Sequence, residues 1–265
     1  MSKSIESLLG IMEKLRDPEQ GCPWDKQQTF SSIVPYTIEE TYEVVDAIHQ
    51  QDWPNLKEEL GDLLYQVIFY SQLAKEQSLF DFDQVVEGIN EKLIRRHPYV
   101  FSMIKFENEE QVAENWEATK AQEKAQQGTV DHSILDSVPN ALPALSRAMK
   151  IQKKCSQYGF DWDTLAPVAD KVLEEVDEVL EEAVQASPDK EKVEEELGDL
   201  LFATVNFARH LGHNPEVALA KANLKFERRF RGIENIVAKQ GKTLGDFTLN
   251  ELDALWEQVK LSEKK

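Results

Sequence analysis

The sequence predicts an all-α protein built from two tandem copies of one helical unit, and three observations carry that prediction. A seven-residue string, E-E-L-G-D-L-L, occurs as Glu58 to Leu64 and again as Glu195 to Leu201. Upstream of each copy stands an E-E-x-x-E cluster, Glu39, Glu40 and Glu43 in the first half, then Glu174, Glu175 and Glu178 in the second. Apolar residues recur every third or fourth position through most of the chain, while β-branched alternation is almost absent. A chain of 265 residues holds one large domain or two of ordinary size, and the internal repetition decides for two.

The first repeat spans residues 1–126. Its opening segment, Met1 to Arg16, sets Glu6, Glu13 and Lys14 into a helical pattern without the apolar stretch of a signal peptide. Trp24, inside P-W-D, reads as a loop anchor, as does Trp162 inside D-W-D. The helix that carries the first string has apolar side chains on nearly every side, Leu63, Leu64, Tyr65, Val67, Ile68, Phe69 and Tyr70, which predicts burial all round and places the Asp62 carboxylate between helices. A helix from Glu109 to Lys124 closes the repeat. The run from Gln126 to His132 breaks the helical period, so a linker is placed at 127–134 and the second repeat at 135–265.

In the second repeat, Val168, Val172, Val176, Val179, Leu180 and Val184 form one apolar stripe, with Glu175, Glu178 and Glu182 on its flank. Three helix starts are signposted there. Ser187-Pro188 and Asn214-Pro215 each set a capping side chain before a proline, and Thr248 with Glu251 makes a capping box.

Composition narrows the function. With 49 acidic against 30 basic residues the net charge is −19, so long nucleic acid is repelled. Two cysteines, Cys22 and Cys155, stand in non-equivalent positions with neither zinc nor disulfide spacing, which fits a reducing cytoplasm. No stretch reaches membrane-spanning length.

Chemistry enters through the carboxylates. On a helix, residues three apart project from one side, so Glu40 with Glu43, and Glu59 with Asp62, converge if their helices pack antiparallel. The second repeat offers the same set as Glu175, Glu178, Glu196 and Asp199. An all-oxygen, strongly negative site of this kind suits Mg²⁺, which keeps waters and takes phosphate oxygens as further ligands. Acidic runs are usually solvated faces, but recurrence in order, beside apolar helix, favours a metal site. Each half then carries N-x-K-x-x-R-R: Asn90, Lys92, Arg95 and Arg96, then Asn223, Lys225, Arg228 and Arg229. These are phosphate candidates, with surface ion pairs as the plainer alternative. W-E-x-x-K follows, Trp116 to Lys120 and Trp256 to Lys260, in which the tryptophan can stack on a base or pack in a core.

In its paired E-E-x-x-E and E-x-x-D clusters, in G-C-P-W-D at Gly21 to Asp25 and in R-R-H-P-x-V-F at Arg95 to Phe101, the chain resembles the MazG family of nucleoside triphosphate pyrophosphohydrolases in its two-repeat form. The resemblance implies four-helix-type bundles completed by a second subunit, hence a homodimer. It implies Mg²⁺-dependent hydrolysis of ribo- and deoxyribonucleoside triphosphates to monophosphate and pyrophosphate. It assigns the active role to the second repeat: Glu175, Glu178, Glu196 and Asp199 for metal, Lys225, Arg229, Trp256 and Lys260 for substrate. Glu174 and Glu195, next to the ligands, are candidates for the general base. Lys171, one turn before Glu175, has Tyr36 as its first-repeat counterpart, so a possible phosphate contact is missing there. Narrower alternatives are a pyrophosphatase for particular (d)NTPs or for phosphoribosyl-ATP, or a nucleotide-sensing first repeat that docks a regulatory protein.

Overall fold

The computed structural model describes residues 3–102, 104–106, 108, 111–112, 115–116, 118–119, 122–123 and 133–263. Every regular element among them is helical, and the chain divides into two compact units, Met1–Thr129 and Val130–Lys265. Most of the expected linker, and Lys120 and Lys124, lie outside the described residues.

The first unit contains α1 (Lys3–Leu15), α2 (Phe30–Gln50), α3 (Trp53–Glu76), α4 (Phe82–Arg96) and the single turn α5 (Pro98–Phe101). Side chains set the starts: Thr29 caps α2 in a box with Ser32, Asp52 caps α3 by accepting from Asn55 N, and Asp81 boxes with Gln84 at α4. Each satisfies an N–H that the first helical turn leaves without a partner. α2 and α3 pack along each other, with α1 and α4 against α3. Their core is Met12, Ile33, Ile68, Phe69 and Leu73, ringed by Phe30, Tyr65, Tyr70 and Phe82.

The second unit contains α6 (Ala144–Ser156), α7 (Leu165–Ala183), α8 (Lys190–His210), α9 (Pro215–Lys239) and α10 (Leu249–Ser262). α7 packs along α8 as α2 does along α3, α6 lies on α8, and α9 pairs with α10 around Ile233, Val237 and Val259. A Cβ at Gly232 would meet Val259 Cγ1 at 2.9 Å, so the glycine sets how closely α9 and α10 approach. The cap at Asn214 and the Thr248–Glu251 box are both formed. Ser187 does not start a helix. α8 begins at Lys190, with the Asp189 carboxylate accepting from Glu191 N, because the carboxylate nearest the first free N–H takes the capping position.

Two patterns are less buried than the sequence suggests. On α3, Ile68 and Phe69 are fully buried, but Val67 is 40% exposed and Asp62 stands at the surface. On α7, Val168 is buried, while Leu180 is 52% exposed and Val184, at the C-cap, 75% exposed. The stripe has two halves, one packed towards α8 and one uncovered.

Candidate active site

The antiparallel pairing of α7 with α8 brings Glu175, Glu196 and Asp199 together, with one carboxylate oxygen from each within 4.8 Å of the others. Glu175 is the buried member, 4% exposed. Its two oxygens differ: Lys171 Nζ stands 2.7 Å from Oε1, whereas Oε2 is buried without a hydrogen-bond partner. A buried carboxylate oxygen with no donor is costly and calls for a cation. Three all-oxygen ligands around it fit a hard divalent ion. Glu178 stands just outside this triad. Burial, and then the neighbouring Glu175, push its carboxyl above the usual range.

The first unit repeats the arrangement with a different membership. Glu40, Glu43 and Glu59 converge within the same 4.8 Å, while Asp62 is exposed and lies outside the trio. Glu40 and Glu59 both titrate above the usual range, from burial first and then from one another's neighbours Asp62 and Glu43. So each repeat brings three of its four expected carboxylates together, and the one left outside is not the equivalent residue. Glu174 and Glu195 are both exposed, and Glu174 lies 3.1 Å from Lys171 Nζ. Adjacent residues on a helix point about 100° apart, which turns these two away from their ligand neighbours.

Beside the second triad lies a cavity of about 580 Å³. Glu175, Asp199 and Lys171 form part of its wall; Phe160, Trp162, Phe202, Ala203, Asn206 and Gln152 form much of the rest. The loop bearing Phe160 and Trp162 turns at Gly159, whose φ of 81° is open to glycine at little cost. Asp161 pins that loop to α8, accepting from Arg209 at 2.5 Å and from its own neighbour Trp162 N at 3.0 Å. Those bonds, led by the one from Arg209, hold the Asp161 carboxyl below its usual range. Trp162 is thus a wall of the cavity as well as a loop anchor, which its surroundings in the sequence do not disclose.

The basic set is placed elsewhere. Arg228 and Arg229 both donate to Glu263 at 2.8 Å, and Arg229 also lies over the Trp256 ring, which packs on Phe226. Lys260 pairs with Glu257, and Lys225 is exposed. In the first unit Arg95 and Arg96 converge likewise on Glu123, and Arg96 lies over Trp116. Arg96 and then Arg95 draw Glu123 down to about 2. Glu123 and Glu263 are residues the sequence reading missed. The signal was present, since each stands seven residues after its tryptophan, in W-E-x-x-K-x-x-E. Both arginine pairs are thus held in ion pairs in this structure, and among the described residues none of the five second-repeat residues lines the cavity.

The family model of the MazG nucleotide pyrophosphohydrolase domain matches residues 28–101 and 164–232, more than half of the chain. The chain belongs to the MazG family. Over 259 residues it is 57% identical to the nucleoside triphosphate pyrophosphohydrolase of Escherichia coli (strain K12), covering 98% of each. Over 256 residues it is 44% identical to the nucleoside triphosphate pyrophosphohydrolase/pyrophosphatase MazG of Thermotoga maritima, covering 97% of this chain and 95% of the other. It is also 44% identical over 255 residues to the uncharacterized protein YabN of Bacillus subtilis (strain 168), where the match covers 96% of this chain and 51% of that one. The two MazG segments take in both carboxylate trios and both arginine pairs. They leave out α6, and with it Gln152 in the cavity wall.

Proposed function

We propose that this chain, a MazG-family nucleoside triphosphate pyrophosphohydrolase, cleaves ribo- and deoxyribonucleoside triphosphates between the α and β phosphates, with the reaction confined to the second repeat. The carrying observation is that Glu175, Asp199 and Lys171 share the wall of one cavity of nucleoside size. Glu175, Glu196 and Asp199, with Glu178 beside them, would hold Mg²⁺. Bound there, Mg²⁺ supplies charge neutralisation at the phosphates and activation of the attacking water. Lys171 changes partner from Glu175 to a phosphate oxygen, keeping a point charge at the reacting end. Phe160 and Trp162 offer a face for any base, which suits broad acceptance. The enzyme acts as a homodimer.

The first repeat keeps a carboxylate trio but fills the corresponding space. Phe69 is fully buried there, and Arg16 lies over its ring at 5.4 Å. Tyr36, at the lysine position, packs edge-on against Trp24.

Pyrophosphate release from a nucleoside triphosphate panel with Mg²⁺ tests the reading. Paired Glu175→Gln and Glu178→Gln substitution lowers the rate about 100-fold or more, whereas Glu40→Gln with Glu43→Gln leaves it within about threefold. Release of orthophosphate alone, or equal loss from both pairs, contradicts it.

A further inference from the structure

Two acceptors in the cavity wall are buried without a partner: Glu175 Oε2 and Gln152 Oε1. The first belongs to the cation site. The second does not. Gln152 is 8% exposed on α6, and its Nε2 donates to the main-chain oxygen of Phe202 on α8 at 2.8 Å. Only the amide NH₂ can donate to a carbonyl, so this bond fixes which way the group faces and leaves Oε1 as an acceptor. Two other acceptors of the wall are already engaged. Asn206 Oδ1 accepts twice from Arg209, at 3.0 and 2.7 Å, and Asp161 Oδ1 accepts from Arg209 and from Trp162 N.

We infer that Gln152 is a specificity-determining residue for the nucleobase, its Oε1 accepting an N–H from the base edge. This rests on the reading of the cavity as the nucleoside site, and it deepens that reading. An oriented acceptor requires a donor on the ligand without prescribing which one. Adenine and cytosine supply an exocyclic amino group, guanine an amino group and a ring N–H, and uracil and thymine a ring N–H. All the common bases therefore satisfy it, and the site is broad toward them. It rejects a base whose edge carries no N–H at all, because such a ligand leaves Oε1 buried and unpaired.

The experiment compares pyrophosphate release from CTP and from pyrimidin-2-one riboside triphosphate, and from ATP and purine riboside triphosphate. Each pair differs only by the amino group. For the wild-type chain, kcat/KM falls about tenfold or more within each pair, mostly through KM. In Gln152→Met, of similar length and without the acceptor, CTP and ATP drop to the level of their donor-less analogues, and both ratios come within about twofold of one. Equal turnover within the pairs by the wild type overturns the inference without any variant, so a poorly folding Gln152→Met leaves it testable. A variant that keeps the wild-type ratios overturns it as well. If no nucleotide yields pyrophosphate, the pyrophosphohydrolase reading itself has failed. If pyrophosphate is released and the ratios are flat, that reading stands and Gln152 only ties α6 to α8.

Discussion

The Lys171–Glu175 contact supplies a counter-charge to the buried acid of the proposed cation site. Glu175 is buried, and Lys171 stands 2.7 Å from one of its oxygens and 3.1 Å from Glu174. The bond to Glu175, and then the one to Glu174, raise the lysine above its ordinary pKa, so it stays charged at neutral pH. Removing it leaves a buried carboxylate with no counter-charge, which for a fully buried pair costs about 3–5 kcal/mol. The lysine side chain is 36% exposed, so solvent screening reduces this to about 1–2 kcal/mol. Lys171→Met should therefore melt several degrees below the wild type in EDTA, and saturating Mg²⁺ should close most of the gap, since the metal replaces the missing charge. Differential scanning calorimetry with and without Mg²⁺ reads this directly; a gap that Mg²⁺ leaves unchanged means that the lysine acts only through packing. The spacing of the carboxylates was legible in the sequence because i, i+3 fixes a helix face. Which of them lies inside was not. That depends on the neighbouring helix, which draws in Glu175 and leaves Asp62 and Glu178 outside the trios.

At the scale of the helix, the two repeats differ more by what fills the bundle than by their acids. Phe69 lies ten residues after Glu59, and Asn206 lies ten after Glu196. On α3 the phenylalanine joins Met12, Ile33 and Ile68 in a closed core. On α8 the asparagine, held by Arg209, lines open space. Asn206→Phe carries the first repeat's residue into the second. It should abolish nucleotide binding at least tenfold while the carboxylate trio still takes a divalent cation, because the ring fills the base end and not the ligand end. Calorimetric titration with Mn²⁺ alone, then with a non-hydrolysable triphosphate, separates the two; unchanged nucleotide affinity would show that the cavity is not the nucleoside site. Helix class and several starts were readable beforehand, from periodicity and from the caps at Asn214 and Thr248. The identity of the E-E-L-G-D-L-L strings concealed this asymmetry, since the residues that open or close the space lie outside them. Glu123 and Glu263 escaped for another reason. Each is one acid among 49, and only the arginines reaching it single it out.

Across the molecule, apolar side chains stand exposed on the helices that carry the carboxylates. On α7, Leu173 and Leu180 are 64% and 52% exposed, and Val184 at its C-cap is 75% exposed, the three spaced seven and four residues apart on one face. On α8, Leu197 and Leu201 are 46% and 51% exposed. The first unit repeats this on α2, where Ile38 and Tyr42 are each 52% exposed, and on α3, where Leu60 is 50% exposed. No described helix is long and apolar enough to cross a membrane, so lipid spanning does not account for these faces. The proposed homodimer covers them with a second copy of the chain. An apolar face on a paired-helix unit is self-complementary under a two-fold axis, and packing α7 and α8 against their counterparts turns a two-helix layer into a four-helix bundle. Sedimentation equilibrium at micromolar concentration should give twice the 30.4 kDa chain mass. Combining Leu173→Glu with Leu180→Glu sets carboxylates in that interface, where neither finds a partner, and should return the mass to that of one chain. Both side chains are more than half exposed within the second unit, so its helical circular dichroism should persist. A wild-type chain that sediments as a monomer at these concentrations would leave the α7 and α8 faces without an occupant and remove the dimer from the proposal, while the assignment of the carboxylate trio would stand on its own geometry.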